Sequence, residues 1–163
     1  MKFIIRLFSA LILTFSYIEL AYSKTTKIII FGDSLIAGYG LVVEDNFVNQ
    51  LKLKTIEKKI NNLTLFNSGV SGETSTGLSN RYKWVLEDNY DGVIILIGAN
   101  DALRGIDPSL TSQNIEKILN YLKEKKIPTM LIGMKAPNNL GEIYVNEFNA
   151  CLLYTSPSPR DEK

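Results

Sequence analysis

Four short apolar stretches recur along the chain, each bounded by polar residues or glycine. They comprise residues 27–31, 63–66, 92–97 and 127–134. Continuous apolar runs of this length are typical of strands that are covered on both faces of a sheet. The stretch at 92–97, which reads GVIILI, is the clearest of the four.

Helical patterns separate these predicted strands. Leu78, Tyr82, Val85 and Leu86 recur at i, i+4, i+7 and i+8, which places them on one face of a helix. An acidic N-cap followed by proline predicts another helix start at Asp107-Pro108. A weaker pattern is formed by Phe47, Val48, Leu51, Ile56 and Ile60, and a last helix is predicted over 139–149. The alternation predicts an α/β fold with a parallel sheet and helices on both faces.

The loops that follow the four strands are rich in glycine, asparagine and serine. They read GDSLIAG, NSGVSGETS, GANDALRG and KAPNNLG. The carboxyl ends of parallel strands lie at one edge of the sheet, where ligands of such folds bind. We therefore expect the four loops to converge on one site that leaves room for a substrate.

The amino-terminal 23 residues have a different pattern. Two basic residues precede an apolar run over 7–18, and Ala21 and Ser23 supply small residues at the −3 and −1 positions of a cleavage site. This pattern is typical of a secretory signal peptide, residues 1–23. The mature chain is therefore expected to begin at Lys24 and to be exported, either to the periplasm or out of the cell.

An uncleaved membrane anchor is the alternative for this segment. The apolar run is shorter than the roughly 18–20 residues that span a bilayer, and Glu19 interrupts it. We expect no stable membrane insertion after cleavage. Because no repeat or linker is visible, residues 24–150 are expected to form one domain.

Composition narrows the classes of partner and cofactor. Eighteen Lys and Arg against seventeen Asp and Glu leave a net charge of +1, which gives no electrostatic argument for a nucleic-acid partner. The single cysteine, Cys151, excludes an internal disulfide and argues against a thiolate metal site. Histidine is absent from the sequence.

Three of the loops resemble a known family. The stretches FGDSLIAGYG, NSGVSGETS and IGANDALRGIDP are similar, in order and spacing, to the three blocks of the SGNH (GDSL-type) hydrolases. The stretch GMKAPNNLGEIYVNEFNA resembles the fourth strand and following helix of the family's periplasmic arylesterase, thioesterase I and lysophospholipase L1 group. The resemblance covers about residues 27–150.

This resemblance implies a fold and an activity. The fold is a flavodoxin-like three-layer α/β/α sandwich with a parallel sheet. The activity is hydrolysis of a small-molecule ester, thioester or lysolipid by a serine nucleophile through an acyl-enzyme. No metal or organic cofactor is implied, since the mechanism needs neither.

The resemblance also assigns roles to individual residues. Ser34 would be the nucleophile, and the oxyanion donors would be the backbone N–H groups of Ser34 and Gly72 and the side-chain amide of Asn100. Glycine at 72 permits close approach of the backbone to a substrate, and an asparagine amide donates without titrating. Each residue also has a structural alternative: Ser34 as a helix cap, Gly72 as a turn residue and Asn100 as the closure of an Asx-turn.

Structural roles are expected for several residues near these three. Asp33 and Asp101 are expected to hydrogen-bond the loops rather than to act as acids. Arg104 is expected to make a loop contact, with an anionic substrate group as the alternative. Tyr39 and Met134 would either wall an acyl pocket or pack in the core.

One part of the family's pattern is missing. Its general base is a histidine in a late Asp-x-x-His block, whereas here Asp161 is followed only by Glu162 and Lys163. Activation of Ser34 by Lys135 is an alternative. However, no Ser-x-x-Lys follows the serine, and nothing in the sequence indicates that the lysine is desolvated.

The chain departs from the family after Ala150. It reads CLLYTSPSPRDEK, in which Pro157 and Pro159 disfavour a helix. We therefore expect residues 151–163 to be a non-native tail, the last strand and helix of the fold to be missing, and the chain to be an inactive fragment. Two rival functions remain: a carbohydrate deacetylase of the same family, and a non-catalytic binding domain that kept the fold and lost its base.

Overall fold

The computed structural model describes residues 24–154. The predicted signal peptide and the two tail prolines, Pro157 and Pro159, lie outside the described residues. The strands are β1 (Thr26–Gly32), β2 (Leu63–Gly69), β3 (Gly92–Leu96) and β4 (Thr129–Ile132).

All four predicted strands are present, and they form one parallel sheet in the order β2-β1-β3-β4. This order equals the first four positions of the flavodoxin-like arrangement. β2 runs on to Gly69, into the residues predicted to be loop. β4 is shorter than predicted because it begins only after Pro128, whose missing N–H cannot join a sheet ladder.

The helices alternate with the strands as expected. They are α1 (Ser34–Ala37), α2 (Phe47–Glu57), α3 (Ser75–Val85), α4 (Ala99–Leu103), α5 (Pro108–Glu124) and α6 (Glu142–Tyr154), with 3₁₀ turns at Val43–Asp45 and Asn138–Leu140. No helical period indicated α1 or α4, because four or five residues are too few to show one. A helix at α1 was implied only by the cap alternative for Ser34.

Helices cover both faces of the sheet, which confirms the three-layer prediction. On one face α3, α5 and α6 enclose the main core, which includes Phe31, Leu78, Ile95, Ile118 and Phe148. On the other face α1 and α2 cover a smaller core of Ile30, Ile36, Val48 and Leu65.

The expected buried face of α2 is wrong in part. Ile56 is 67% exposed, and Ile60 lies beyond the helix and is 45% exposed. The helix ends at Glu57, and Lys59 follows with a left-handed φ of 59°. This turn leads the chain away before Ile60 can continue the helical face.

The last helix begins later than predicted and continues further. A 3₁₀ turn at Asn138–Leu140 precedes α6, which runs from Glu142 past Ala150 to Tyr154. Leu152 is 2% exposed and belongs to the main core. The first residues of the predicted tail are therefore part of a continuous helix.

Candidate active site

The carboxyl ends of three neighbouring strands lie level with one another. Gly32 at the end of β1 pairs with Gly69 of β2 on one side and with Leu96 of β3 on the other. The backbone N–H of Val70 also donates to the Gly32 carbonyl, at 2.9 Å. The loops that carry Ser34, Gly72 and Asn100 therefore leave the sheet side by side.

Ser34 is the first residue of α1, and the N-cap of this helix is Asp33. One carboxylate oxygen of Asp33 accepts from the backbone N–H of Leu35 at 3.0 Å. Asp33, and not Ser34, is therefore the residue that caps α1, so the capping alternative for Ser34 is wrong. Asp33 makes a structural hydrogen bond, as expected. Ser34 itself is half-buried at the carboxyl edge of the sheet.

A side chain from β2 fixes the far end of this short helix. The amide of Asn67 donates to the backbone carbonyl of Ile36 at 2.7 Å, and its oxygen accepts from the backbone N–H of Gly69 at 2.9 Å. α1 is therefore held at its start by Asp33 and at its end by the neighbouring strand.

Gly72 lies in the turn between β2 and α3, with a φ of +78°. The turn is closed by a hydrogen bond from the N–H of Glu73 to the carbonyl of Val70, at 3.1 Å. This left-handed conformation favours glycine, so the turn alternative is compatible with the structure alongside the oxyanion hypothesis. The guanidinium of Arg104 donates to the Gly72 carbonyl at 2.8 Å, which confirms the expected loop contact of Arg104.

Asn100 is the second residue of α4 and lies four residues after the end of β3 at Leu96. Its side-chain amide donates to the backbone carbonyl of Glu73 at 2.9 Å, so the observed bond reaches a different loop rather than closing an Asx-turn. An asparagine amide carries two N–H donors, and only one is needed for this bond. Within residues 24–154, the side chain of Asn100 makes no other hydrogen bond.

A buried ion pair that the sequence did not reveal supports the Gly72 turn. Arg81 of α3 contacts both carboxylate oxygens of Glu73, at 2.5 and 2.6 Å, and also donates to the hydroxyl and the carbonyl of Ser68. The Glu73 side chain is only 4% exposed. Residues eight positions apart do not form a recognisable pair in a sequence, since α3 begins between them.

Asp101 is fully buried and accepts hydrogen bonds from Ser75 and Thr111, as its loop-bonding expectation required. Next to it, the hydroxyl of Tyr144 in α6 donates to the carbonyl of Ile106 at 2.8 Å. Burial, and then the negative charge of Asp101, raises the pKa of the Tyr144 phenol. The third loop is therefore connected to both α3 and α6.

The remaining candidates lie apart from these contacts. Met134 packs against the main core, whereas Tyr39 is 79% exposed. Lys135 is exposed. A lysine that acts as a general base is desolvated, so this exposure argues against that role. The structure thus gives Met134 a packing role and offers no support for activation by Lys135.

A shallow groove between α2 and β2 lies away from this site. Its lining includes Ile56, Ile60 and Leu63. Leu63 is the first residue of β2, so the groove is at the amino ends of the strands, whereas ligands of parallel sheets bind beyond the carboxyl ends. Across residues 24–154, no helix has both the length and the apolar character that a membrane span requires.

The fold and this edge of the sheet together define an α/β protein of the flavodoxin-like class, with its candidate site on the loops after β1, β2 and β3. Residues 30–154 match the model of the GDSL-like Lipase/Acylhydrolase family. The chain belongs to this family, and the resemblance drawn from its sequence is confirmed.

Named relatives agree with this assignment. The chain is 30% identical to an arylesterase of Vibrio mimicus over 145 residues, which are 88% of this chain and 71% of the relative. It is 31% identical to the thioesterase 1/protease 1/lysophospholipase L1 of Escherichia coli over 124 residues, which are 76% of this chain and 58% of the relative. The chain therefore spans less than two thirds of the Escherichia coli protein.

A solved structure agrees with the fold as well. The crystal structure of AlinE4, an SGNH-hydrolase family esterase, superposes with a TM-score of 0.78 and 38% identity. The match covers 83% of this chain and 72% of the esterase. These similarities support ester hydrolysis as the activity of the family to which the chain belongs.

Proposed function

We propose that Ser34 is the nucleophile of a carboxylic ester or thioester hydrolase that works through an acyl-enzyme. The observation that carries the proposal is the level arrangement of three strand ends, in which Gly32 pairs with both Gly69 and Leu96. Ser34, Gly72 and Asn100 follow these ends within a few residues, on loops that hydrogen bonds connect. A carbonyl carbon next to Ser34 would then have its oxygen near donors from all three loops.

The oxyanion donors would be the N–H groups of Ser34 and Gly72 and the second N–H of Asn100. Attack by a serine on an ester turns the carbonyl oxygen into an anion, and preorganised donors lower the barrier to that step by about 3 kcal/mol each. The bond from Asn100 to the carbonyl of Glu73 supports this role, because it holds the amide in one orientation before any substrate arrives.

The general base is not supplied by a histidine of this chain, which has none. In the proposed mechanism the proton of Ser34 goes to a histidine of a late Asp-x-x-His block, and the 163-residue chain alone is nearly inactive. Loss of the base of a serine hydrolase costs about 10⁶ in kcat. The test compares two proteins. One is residues 24–163; the other, the extended chain, is residues 24–150 followed by the residues that the natural gene encodes after codon 150.

Sequencing the gene beyond codon 150 separates the competing interpretations. A late Asp-x-x-His block in frame supports the hydrolase and the proposal that residues 151–163 are a non-native tail. A genuine stop codon favours a binding domain without a base. If residues 24–163 hydrolyse an aryl ester within about tenfold of the extended chain, a barrier difference of 1.4 kcal/mol, the need for a late histidine is disproved.

The proposed substrates are aryl esters, acyl thioesters and lysophospholipids. The names of the Vibrio mimicus and Escherichia coli relatives support these three classes. The extended chain should be assayed on one substrate of each class and on acetylated xylan. Preference for acetylated xylan would favour the carbohydrate deacetylase instead.

Export with cleavage after Ser23 is the proposed localisation. It is supported by the apolar run over 7–18 and by the small residues Ala21 and Ser23. Mass spectrometry of protein from the periplasm or the medium should find Lys24 at the amino terminus. An intact Met1 in the membrane fraction would contradict export as a cleaved protein.

A further inference from the structure

Asp101 makes a buried connection between the second and third loops of the site. Its carboxylate is fully buried and accepts from the backbone N–H of Ser75 at 2.8 Å, from the Ser75 hydroxyl at 2.5 Å and from the Thr111 hydroxyl at 3.2 Å. Ser75 is also fully buried, so water does not compete for these bonds. The three bonds join α3, α4 and α5 at one point.

The direction of the two bonds from Ser75 to Asp101 is fixed. The amide of Asn114 donates to the Ser75 hydroxyl at 3.1 Å, so the hydroxyl accepts there and directs its own proton to Asp101. Both oxygens of Asp101 then accept from Ser75, and an amide at this position could not accept at both places. The carboxylate also lies at the start of α3, where the free N–H groups of a helix favour a negative charge.

The two partners are adjacent to the two proposed oxyanion donors. Ser75 lies three residues after Gly72 in the chain, and Asp101 directly follows Asn100. The other two bonds between these loops, from Asn100 to Glu73 and from Arg104 to Gly72, are part-buried and exposed respectively. The Asp101 cluster is therefore the connection between the loops that water reaches least.

We propose that Asp101 is a positioning residue that sets the separation of the Gly72 and Asn100 donors through its bonds to Ser75. The proposal rests on the proposed function of Gly72 and Asn100. Asp101 touches no substrate. Its effect on the reaction is to keep two donors, which come from different strands, at one fixed geometry.

Asp101→Asn tests the proposal, since an amide of nearly the same shape cannot accept from all three donors. The matched control is Asp107→Asn, which removes the charge of the aspartate that caps α5 and accepts from the N–H of Ser109 at 2.8 Å. Amide NMR spectra of the 163-residue chain provide the first measurement. We expect the resonances of the Asn100 side-chain amide and of the Gly72 N–H to shift more in Asp101→Asn than in the control. The backbone amide resonances of β1 should not change.

The second measurement uses the extended chain and is the rate at which a fluorophosphonate modifies Ser34, followed by intact mass. Here the Ser34 oxygen bonds to phosphorus as fluoride leaves, and the Ser34 proton goes to the proposed late histidine of the extended chain. The phosphoryl oxygen occupies the position of the oxyanion. We expect Asp101→Asn to slow this reaction by about tenfold to a hundredfold. Combined with Asn100→Ala, its effect should be less than additive, because one of the two donors whose separation Asp101 sets is then absent.

Three outcomes decide between the hypotheses. Equal NMR shifts in Asp101→Asn and Asp107→Asn, or rate losses that add to those of Asn100→Ala, would overturn the positioning role. No Ser34 adduct in the extended chain without substitutions would instead contradict the proposed function, while the NMR comparison would still decide whether Asp101 sets the loop geometry. If Asp101→Asn does not fold, Ser75→Ala serves in its place, since it removes the hydroxyl bond and keeps the N–H bond.

Discussion

The backbone of Gly69 lies directly against the backbone of Ala37. A Cβ atom built at position 69 would come within 2.2 Å of the Ala37 nitrogen and 2.6 Å of the Ile36 carbonyl carbon. Because α1 begins at Ser34, this contact determines how closely the end of β2 approaches the helix that carries the proposed nucleophile. Only glycine leaves room for both backbones.

Gly69→Ala is therefore expected to destabilise the protein by at least about 1–3 kcal/mol, the usual cost of overpacking, because the obstructing atoms belong to the backbone and cannot move aside as a side chain can. Gly133→Ala is the matched control, since a Cβ there would meet its nearest atom at 3.6 Å. Urea unfolding of both variants measures the difference. Equal stability of the two variants would contradict the packing argument.

The ion pair between Arg81 and Glu73 gives a second prediction about stability. Arg81→Met leaves the buried carboxylate of Glu73 without its charged partner, and breaking a buried pair in this way costs about 3–5 kcal/mol. The exposed pair of Lys54 and Glu57, with side chains 68% and 62% exposed, is the control. Lys54→Met should change the free energy of unfolding by no more than about 0.5 kcal/mol.

A double variant separates a lost charge partner from lost packing. Arg81→Met combined with Glu73→Gln should be less destabilised than the sum of the two single variants, because the uncompensated charge is then gone. Strict additivity in urea unfolding would show that the pair does not interact.

Sequence patterns predicted the strands well and the details of the site only in part. GVIILI and the run ending at Phe31 are long enough, and apolar enough, to identify buried strands. The prediction that Ile60 lies on the buried face of α2 is wrong, because no local sequence signal indicates that the chain turns out of the helix at Lys59. The contacts of Arg81 with Glu73, and of Asp101 with Ser75, join residues that the fold brings together, so spacing along the chain does not reveal them.

Acid should weaken the start of α5 through Asp107. The hydrogen bond from the Ser109 N–H holds the pKa of this carboxyl below its ordinary value. A carboxyl with a lowered pKa in the folded state stabilises the protein above its unfolded pKa, and this stabilisation is lost as the pH falls through the folded pKa. Stability should therefore decline below about pH 4, the ordinary range of an aspartate.

Asp107→Asn tests this contribution, because asparagine caps a helix about as well as aspartate and does not titrate. The variant should lose less stability than the unmodified chain between pH 5 and the acid limit of folding. Urea midpoints across this range provide the measurement. Parallel pH dependences in the two proteins would exclude Asp107 as a source of the acid effect.

The thiol of Cys151 should react slowly with alkylating reagents. Burial, and then the charge of Asp101, raises the pKa of this thiol to about 11. Since the thiolate is the reactive form, alkylation by iodoacetamide at pH 8 should be at least about tenfold slower than that of a free thiol, because the fall in thiolate fraction exceeds the gain in nucleophilicity. The rate should rise in urea, where the burial is lost. An unchanged rate on unfolding would contradict a partly buried thiol with a raised pKa.

The last prediction concerns Asn100, whose amide uses one N–H for the carbonyl of Glu73 and leaves the other for the proposed oxyanion. In the extended chain, Asn100→Ala should lower kcat by about 10²–10³ and change KM little, because the bond to the oxygen strengthens only as negative charge develops. Asn138→Ala is the control, since Asn138 lies in the exposed 3₁₀ turn after β4. Steady-state kinetics on an aryl ester provide the comparison. If Asn138→Ala lost as much activity while Asn100→Ala remained near normal, the donor would have to lie in the fourth loop rather than the third.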